Sequence, residues 1–242
     1  MAIGISRGLS TISQMKIVSI EKSPRSGKIK VSFDEREVLI LSKEVLIDYG
    51  LRKNDDISDG LLLKIRKSQM YHDTYLAAMR LINYRMRTKS ELVKRLREKK
   101  FPIEMIELVI GKLRDVGLID DEKFAEMFVA GKVTRKPVGR RELERRLLEK
   151  GITKEAAAAA LSTVGGEEIQ NELALRAART KIRALKRFDK KKRREKLISF
   201  LARRGFDWSI IKNVVRETFP ERVSRVGSFD HSENGDLGAD DI

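Results

Sequence analysis

The sequence predicts a mainly α protein: three tandem three-helix units in an elongated array, preceded by a small β-rich N-terminal module. Three observations carry this. One pattern recurs after 51 residues and again after 54. From about Tyr71 to Thr218 the apolar spacing is helical throughout. Before Tyr71, polar and apolar residues alternate as in half-buried strands.

The repeat is clearest in the second helix of each unit. Glu91-Leu92-Val93-Lys94-Arg95-Leu96 matches Glu142-Leu143-Glu144-Arg145-Arg146-Leu147 and Lys196-Leu197-Ile198-Ser199-Phe200-Leu201. The leucines stand one helical turn apart, the spacing of a buried stripe. A cation follows (Lys99, Lys150, Arg204), then Lys100, Gly151 or Gly205, then Phe101, Ile152 or Phe206. The third helix keeps register through Ile106/Ala157/Ile211, Val109/Ala160/Val214 and Ile110/Leu161/Val215. Helices are expected near 72–85, 89–100 and 103–116, then 121–134, 140–150 and 154–163, then 167–187, 190–204 and 208–218. Thr88-Lys89-Ser90-Glu91 reads as a capping box, and Asp120 as a helix start after Gly117. Gly139 replaces the capping threonine in unit two, and the box is lost in unit three. Ala156 to Ala160 makes one helix bland, which predicts loose packing there.

The module shows three strand signals, at Ile17 to Ile20, Lys28 to Phe33 and Val38 to Leu41, with a turn cluster from Ser23 to Gly27. Ser42 fits the N-cap of a short helix through Tyr49, Asp55-Asp56 reads as loop, and Asp59 as the cap of a helix towards Tyr71. The expected divisions are a loose extension 1–14, the module 15–70, units 71–117, 118–164 and 165–226, and a disordered acidic tail 227–242.

Charge narrows the function. Lys plus Arg number 52 against 36 acids, a net charge of +16, in a chain 41% hydrophobic and 36% charged. The last basic residue is Arg225, and Asp230, Glu233, Asp236, Asp240 and Asp241 follow it, so the rest is more basic still. Such an excess points to a polyanionic partner. With no cysteine, disulfides and thiolate metal sites are excluded. Met1 to Gln14 lacks the apolar stretch of a secretory signal, and no segment approaches a membrane span, so a cytoplasmic protein is expected. His72 and His231 have no His or Cys neighbours, Asp120-Asp121-Glu122 suits a helix start better than a cation, and Gly165-Gly166 lacks the Lys-Ser/Thr of a phosphate loop. No catalytic constellation, cofactor site or metal site is therefore expected.

The cations are the candidate site. On the helix expected from 167, Ala174, Leu175, Ala178, Ile182 and Leu185 form an apolar arc beside a stripe of Arg176, Arg179, Arg183, Lys186 and Arg187. From Arg176 to Arg204 there are 14 cations and only two acids, Asp189 and Glu195, where a solvated face would mix signs. Lys191, Lys192, Arg193 and Arg194 continue the run. Unit two offers Lys132, Arg135, Lys136, Arg140, Arg141, Arg145 and Arg146; unit one offers, more weakly, Arg80, Arg85, Arg87, Lys89, Lys94, Arg95, Arg97, Lys99 and Lys100. Arginine is common throughout, which suits bidentate phosphate contacts. The aromatics sit mostly at core-like spacings, so no base-stacking platform is expected.

Leu118-Ile119-Asp120-Asp121-Glu122-Lys123-Phe124-Ala125, Gly139-Arg140-Arg141-Glu142-Leu143, Glu149-Lys150-Gly151-Ile152 and the leading helix from Tyr75 to Arg87 resemble the RecX family of recombination regulators. The likeness covers about Tyr71 to Glu217, and Tyr49-Gly50-Leu51 with Asp55-Asp56 resembles an extension found in some members. The resemblance implies a regulator without catalytic residues that binds the RecA recombinase filament on DNA and inhibits ATP hydrolysis and strand exchange. The implied partners are a RecA-type filament and single- and double-stranded DNA, with no membrane, and the protein is expected to be a monomer. The bland alanine helix and the heavy charge of unit three depart from the family pattern. The alternative is a general DNA- or RNA-binding module of helix-turn-helix type, but no Asn/Gln-rich recognition helix or zipper is present. A nuclease would need clustered carboxylates in a basic cleft, which the sequence does not supply.

Overall fold

A computed structural model of the chain describes residues 14–23, 27–34 and 37–220. The expected acidic tail, with His231, and residues 1–13 of the expected extension lie outside them, whereas its last residue, Gln14, is not loose but strand-paired with Ser58.

Strands β1 (Gln14–Lys22), β2 (Ile29–Phe33), β3 (Val38–Leu41) and β4 (Asp56–Ser58) form one antiparallel sheet in the order β3-β2-β1-β4. Alternation builds its core: Met15, Ile17, Val31, Phe33, Leu39 and Leu41 turn inward, while Lys16, Lys30 and Ile40 face solvent. Helix α1 (Lys43–Asp48) starts where the Ser42 hydroxyl accepts from the Val45 amide at 3.3 Å. Strand β4 corrects the loop expected at Asp55-Asp56. Its three residues, with only Ile57 buried, are too short to display a period.

Helix α2 (Asp59–Tyr84) is one helix of 26 residues where the sequence suggested two. Ser58, not Asp59, caps it, its hydroxyl accepting from the Leu61 amide. Leu62 and Ile65 enter the core of the module, and Ala78 enters that of the first unit. Between them Gln69 is buried, with Oε1 accepting from the Ser42 amide at 2.7 Å. The polar stretch around it marks a change of core, not a break in the backbone.

The remaining helices are α3 (Lys89–Glu98) and α4 (Ile103–Asp115), then α5 (Asp121–Arg135), α6 (Arg140–Glu149) and α7 (Lys154–Ser162), then α8 (Glu167–Ala184), α9 (Lys190–Arg203) and α10 (Trp208–Thr218). With α2 they make three three-helix units, each around its own apolar cluster. The repeated leucines Leu92, Leu96, Leu143, Leu147, Leu197 and Leu201 are all 0% exposed. Ala156 to Ala160 does not pack loosely as expected. Ala157 and Ala160 are buried, and their small side chains let α7 lie close to α5. Helix α8 stops at Ala184, short of the expected 187, because the chain turns to bury Leu185; no glycine marks the stop.

Units are joined through the repeated second helices. The C-terminal end of α6 meets the start of α3: the Thr88 hydroxyl donates to the Lys150 carbonyl at 2.7 Å. The end of α9 meets the start of α6: Gly139 N donates to the Arg204 carbonyl at 2.8 Å and Arg141 N to the Gly205 carbonyl at 3.3 Å. The electronegative end of one helix thus abuts the electropositive start of another, a favourable alignment of dipoles. Gly151 and Gly205 sit at these joints with φ of +77°. A Cβ on Gly205 would lie 2.4 Å from Glu142 N, and one on Gly151 would lie 2.3 Å from the Ser90 Cβ. Lys100, the equivalent in unit one, also has positive φ (65°). No earlier unit docks on it, so a side chain is tolerated there. Gly139 has the same explanation: a Cβ would lie 2.1 Å from the Gly205 carbonyl oxygen, so the capping threonine is excluded.

Among the described residues no helix is long and apolar enough to cross a membrane, and no group of three or more His, Asp or Glu side chains could hold a metal ion.

Candidate nucleic-acid interface

In unit three the apolar arc and the cationic stripe separate as their spacing requires. Ala174, Ala178 and Leu185 are buried, Leu175 and Ile182 half-buried, and Arg176, Arg179 and Arg183 exposed on α8. Lys186 and Arg187 are exposed too, but on the turn after the helix. Among the described residues, no acid lies within ion-pair distance of Arg176, Arg179, Arg183, Lys186 or Arg187. Asp189 caps α9 by accepting from the Lys192 amide at 2.9 Å, and this backbone hydrogen bond holds its carboxyl below the usual range. Lys192 Nζ also stands 3.7 Å from that carboxylate. Lys191 and Arg194 are exposed, whereas Arg193 is half-buried with its Nε turned inward.

Units two and three bring further cations together. Arg176 donates to the Thr134 carbonyl at 3.3 Å, which sets the α8 stripe beside Arg135 and Lys136 at the end of α5. Lys132 lies 5.4 Å from the Phe128 ring centroid, a cation–π contact. Arg140 and Arg141 open α6 at the joint with α9. The Arg140 amide donates to Gln170 Oε1 at 3.1 Å, and Arg141 pairs with Asp207 at 2.5 Å. Arg145 and Arg146 are held by Glu142. Their hydrogen bonds, Arg145 first, overcome burial and lower the Glu142 carboxyl to about 2. Arg204 serves the joint itself, donating to the Pro137 carbonyl at 2.7 Å, and burial pushes its guanidinium below the ordinary value.

Unit one is more occupied with itself. Arg85 pairs with Glu91 at 2.9 Å and Arg95 with Glu98 at 2.8 Å, while Arg87 donates to the Leu81 carbonyl at the end of α2. Arg80 and Lys94 are exposed. The Thr88 hydroxyl accepts from the Glu91 amide at 3.1 Å, as the capping box requires. The Glu91 carboxylate does not reach back to Thr88; it takes Lys150 at 2.6 Å and Arg85. Burial raises this carboxyl, but those two cations outweigh it and hold it below its ordinary value. Glu91 therefore ties unit two to unit one. No hydrogen bond or ion pair among the described residues joins the unit-one cations to the α8 stripe.

Sequence reasoning missed a cationic site on the last helix. Trp208 is 54% exposed and Tyr84 84% exposed, so these two depart from the core-like spacing expected of most aromatics. Trp208, Lys212 and Arg216 lie one turn apart along α10, opposite the buried Ile210 and Val214. With Arg194 of α9 they line a groove of about 620 Å³, floored by Ile198, Ile211, Val215 and Phe219. The signal was present as a period of four, but a tryptophan so near Phe206 reads as core.

Comparison with known proteins agrees with this architecture. Family models described as the first, second and third three-helix domains of RecX match residues 75–113, 120–161 and 167–215. The regulatory protein RecX of Chlorobium limicola is 37% identical over 142 residues, covering 59% of this chain and 87% of that protein. That of Finegoldia magna is 26% identical over 201 residues, covering 83% and 98%. A crystal structure of a regulatory protein RecX superposes with a TM-score of 0.66 at 28% identity, covering 83% of this chain and 98% of that one. RecX from Lactobacillus salivarius does so with a TM-score of 0.56 at 25% identity, covering 62% and 97%. Three domain models matched in order, and relatives spanned over most of their length, place this chain in the RecX family of regulatory proteins.

Proposed function

We propose that this protein is a non-enzymatic, cytoplasmic regulator that binds a RecA-type recombinase filament on DNA and inhibits its ATP hydrolysis and strand exchange. The observation that carries this reading is the set of exposed cations without acidic partners on α8 and the turn after it. On a chain of this family, such a face fits the phosphate backbone of a filament. Positive charge steers the monomer to the filament, and side-chain contacts from the units then hold recombinase subunits against turnover. The units proposed, 71–117, 118–164 and 165–226, each enclose one of the matched domain ranges.

The test is RecA-dependent ATP hydrolysis on single-stranded DNA with this protein titrated in. Hydrolysis should fall with substoichiometric to equimolar protein. No change at excess protein, with DNA binding intact, leaves the general nucleic-acid-binding module as the surviving function.

A further inference from the structure

The groove between α9 and α10 carries an exposed indole, three cations and an apolar floor, and among the described residues no acid lines it. Lys212 Nζ stands 5.8 Å from the Trp208 ring centroid. An indole left 54% exposed at a groove wall forgoes the burial that a tryptophan usually finds. The indole does not complete the core beneath it, because Ile210, Ile211, Val214 and Val215 already do so. What an exposed indole beside several cations does offer is a face for a planar, uncharged ring and anchors for the negative charges attached to it.

We propose that this groove is a single-stranded nucleic-acid site in which one unpaired base stacks on Trp208 while flanking phosphates lie on Arg194, Lys212 and Arg216. The inference rests on the reading of the chain as a DNA-bound regulator and gives unit three a contact that depends on bases as well as phosphates. Stacking explains why the site needs an aromatic, is tolerant of sequence, and favours single strands over duplex, whose bases are already stacked. An acidic polypeptide shares the phosphate chemistry but not the flat ring.

Trp208 is the chain's only tryptophan, so its fluorescence reports this groove alone. The full-length protein is titrated with three probes: a thymidylate dodecamer, an abasic oligomer of equal length, and polyglutamate. Thymidylate should quench the emission strongly, and the abasic oligomer should bind with little quenching. Trp208→Ala should weaken thymidylate binding, read by anisotropy of labelled DNA, by about tenfold. It should leave abasic binding unchanged, and Trp208→Phe should restore most of the loss. Lys212→Ala with Arg216→Ala should flatten the salt dependence by about 0.7 per lost phosphate contact.

Equal quenching by thymidylate and abasic oligomers, or full affinity in Trp208→Ala, would overturn stacking. Polyglutamate quenching at lower concentration than thymidylate would assign the groove to an acidic polypeptide instead. If recombinase inhibition persists in a Trp208→Ala protein whose thymidylate affinity is unchanged, this site falls and the regulatory reading stands. If neither DNA binding nor inhibition is seen in the unaltered protein, both fall. Melting curves on Trp208→Ala and Trp208→Phe confirm that each variant folds.

Discussion

At Gly205 the backbone φ of +77° is unfavourable for any side chain, and a Cβ would also meet Glu142 N at 2.4 Å. That second atom belongs to the backbone of another unit and cannot swing aside. Gly205→Ala should therefore cost about 2 kcal/mol or more, since positive φ alone accounts for about 1. Lys100→Gly, at the same place in unit one with φ of 65°, should be neutral or mildly stabilising. Urea titration of both variants measures this, and equal small effects would mean that the joint does not close in solution. The core positions give an independent scale. Leu96→Ala and Leu147→Ala, both 0% exposed, should each lose about 2–5 kcal/mol, against less than about 0.5 for Arg95→Ala. A loss for Arg95→Ala as large as for the leucines would put the helix register wrong by a residue.

Helices were the most legible elements, because caps and leucine spacing are local. Ser42, Thr88 and Asp120 each cap the helix that follows by accepting an amide, and α10 spans the residues expected of it. What was not legible depended on partners distant in sequence. β4 exists through pairing with β1, and α2 is continuous because two cores share it. The bond from Glu91 to Lys150 crosses 59 residues, so the carboxylate could only be read as part of a local box. Part of the site was hidden for the same reason: Arg145 and Arg146 look like free cations until Glu142 is seen between them. Glu142 also gives α6 an acid-sensitive element. Its carboxyl lies at about 2 when folded and ordinarily at 4.5, so the ionised form stabilises the fold above about pH 4.5. That contribution drains away as pH falls from there through about 2. Glu142→Gln should thus lose about 1–3 kcal/mol at neutral pH. The gap to the unaltered protein should narrow on acidification, as measured by thermal melts across the acid range; a gap independent of pH would place the loss in packing.

Across the whole molecule, charge and core are kept apart. Each unit buries its own leucine stripe, the second helices join the units end to end, and among the described residues the α8 stripe lies without acidic partners beside the end of α5. This arrangement lets a binding face change without disturbing a fold, which makes the interface testable. Arg179 and Arg183 lie one turn apart, both exposed, away from buried Ala174 and Ala178. If they contact phosphate, log affinity should fall with log salt by about 0.9 for each duplex phosphate neutralised, or about 0.7 on single strands. Replacing both by Ala should flatten that slope by roughly 1–2 units, weaken binding alike for all DNA sequences and reduce recombinase inhibition in parallel. The measurement is a salt series on DNA alone and on recombinase–DNA filament, for the unaltered protein and the double variant, with melting curves beside it. An unchanged slope with unchanged inhibition reduces the stripe to a solvated face. An unchanged slope with lost inhibition moves it onto acidic side chains of the recombinase, where the charges would meet a protein surface and not the nucleic acid.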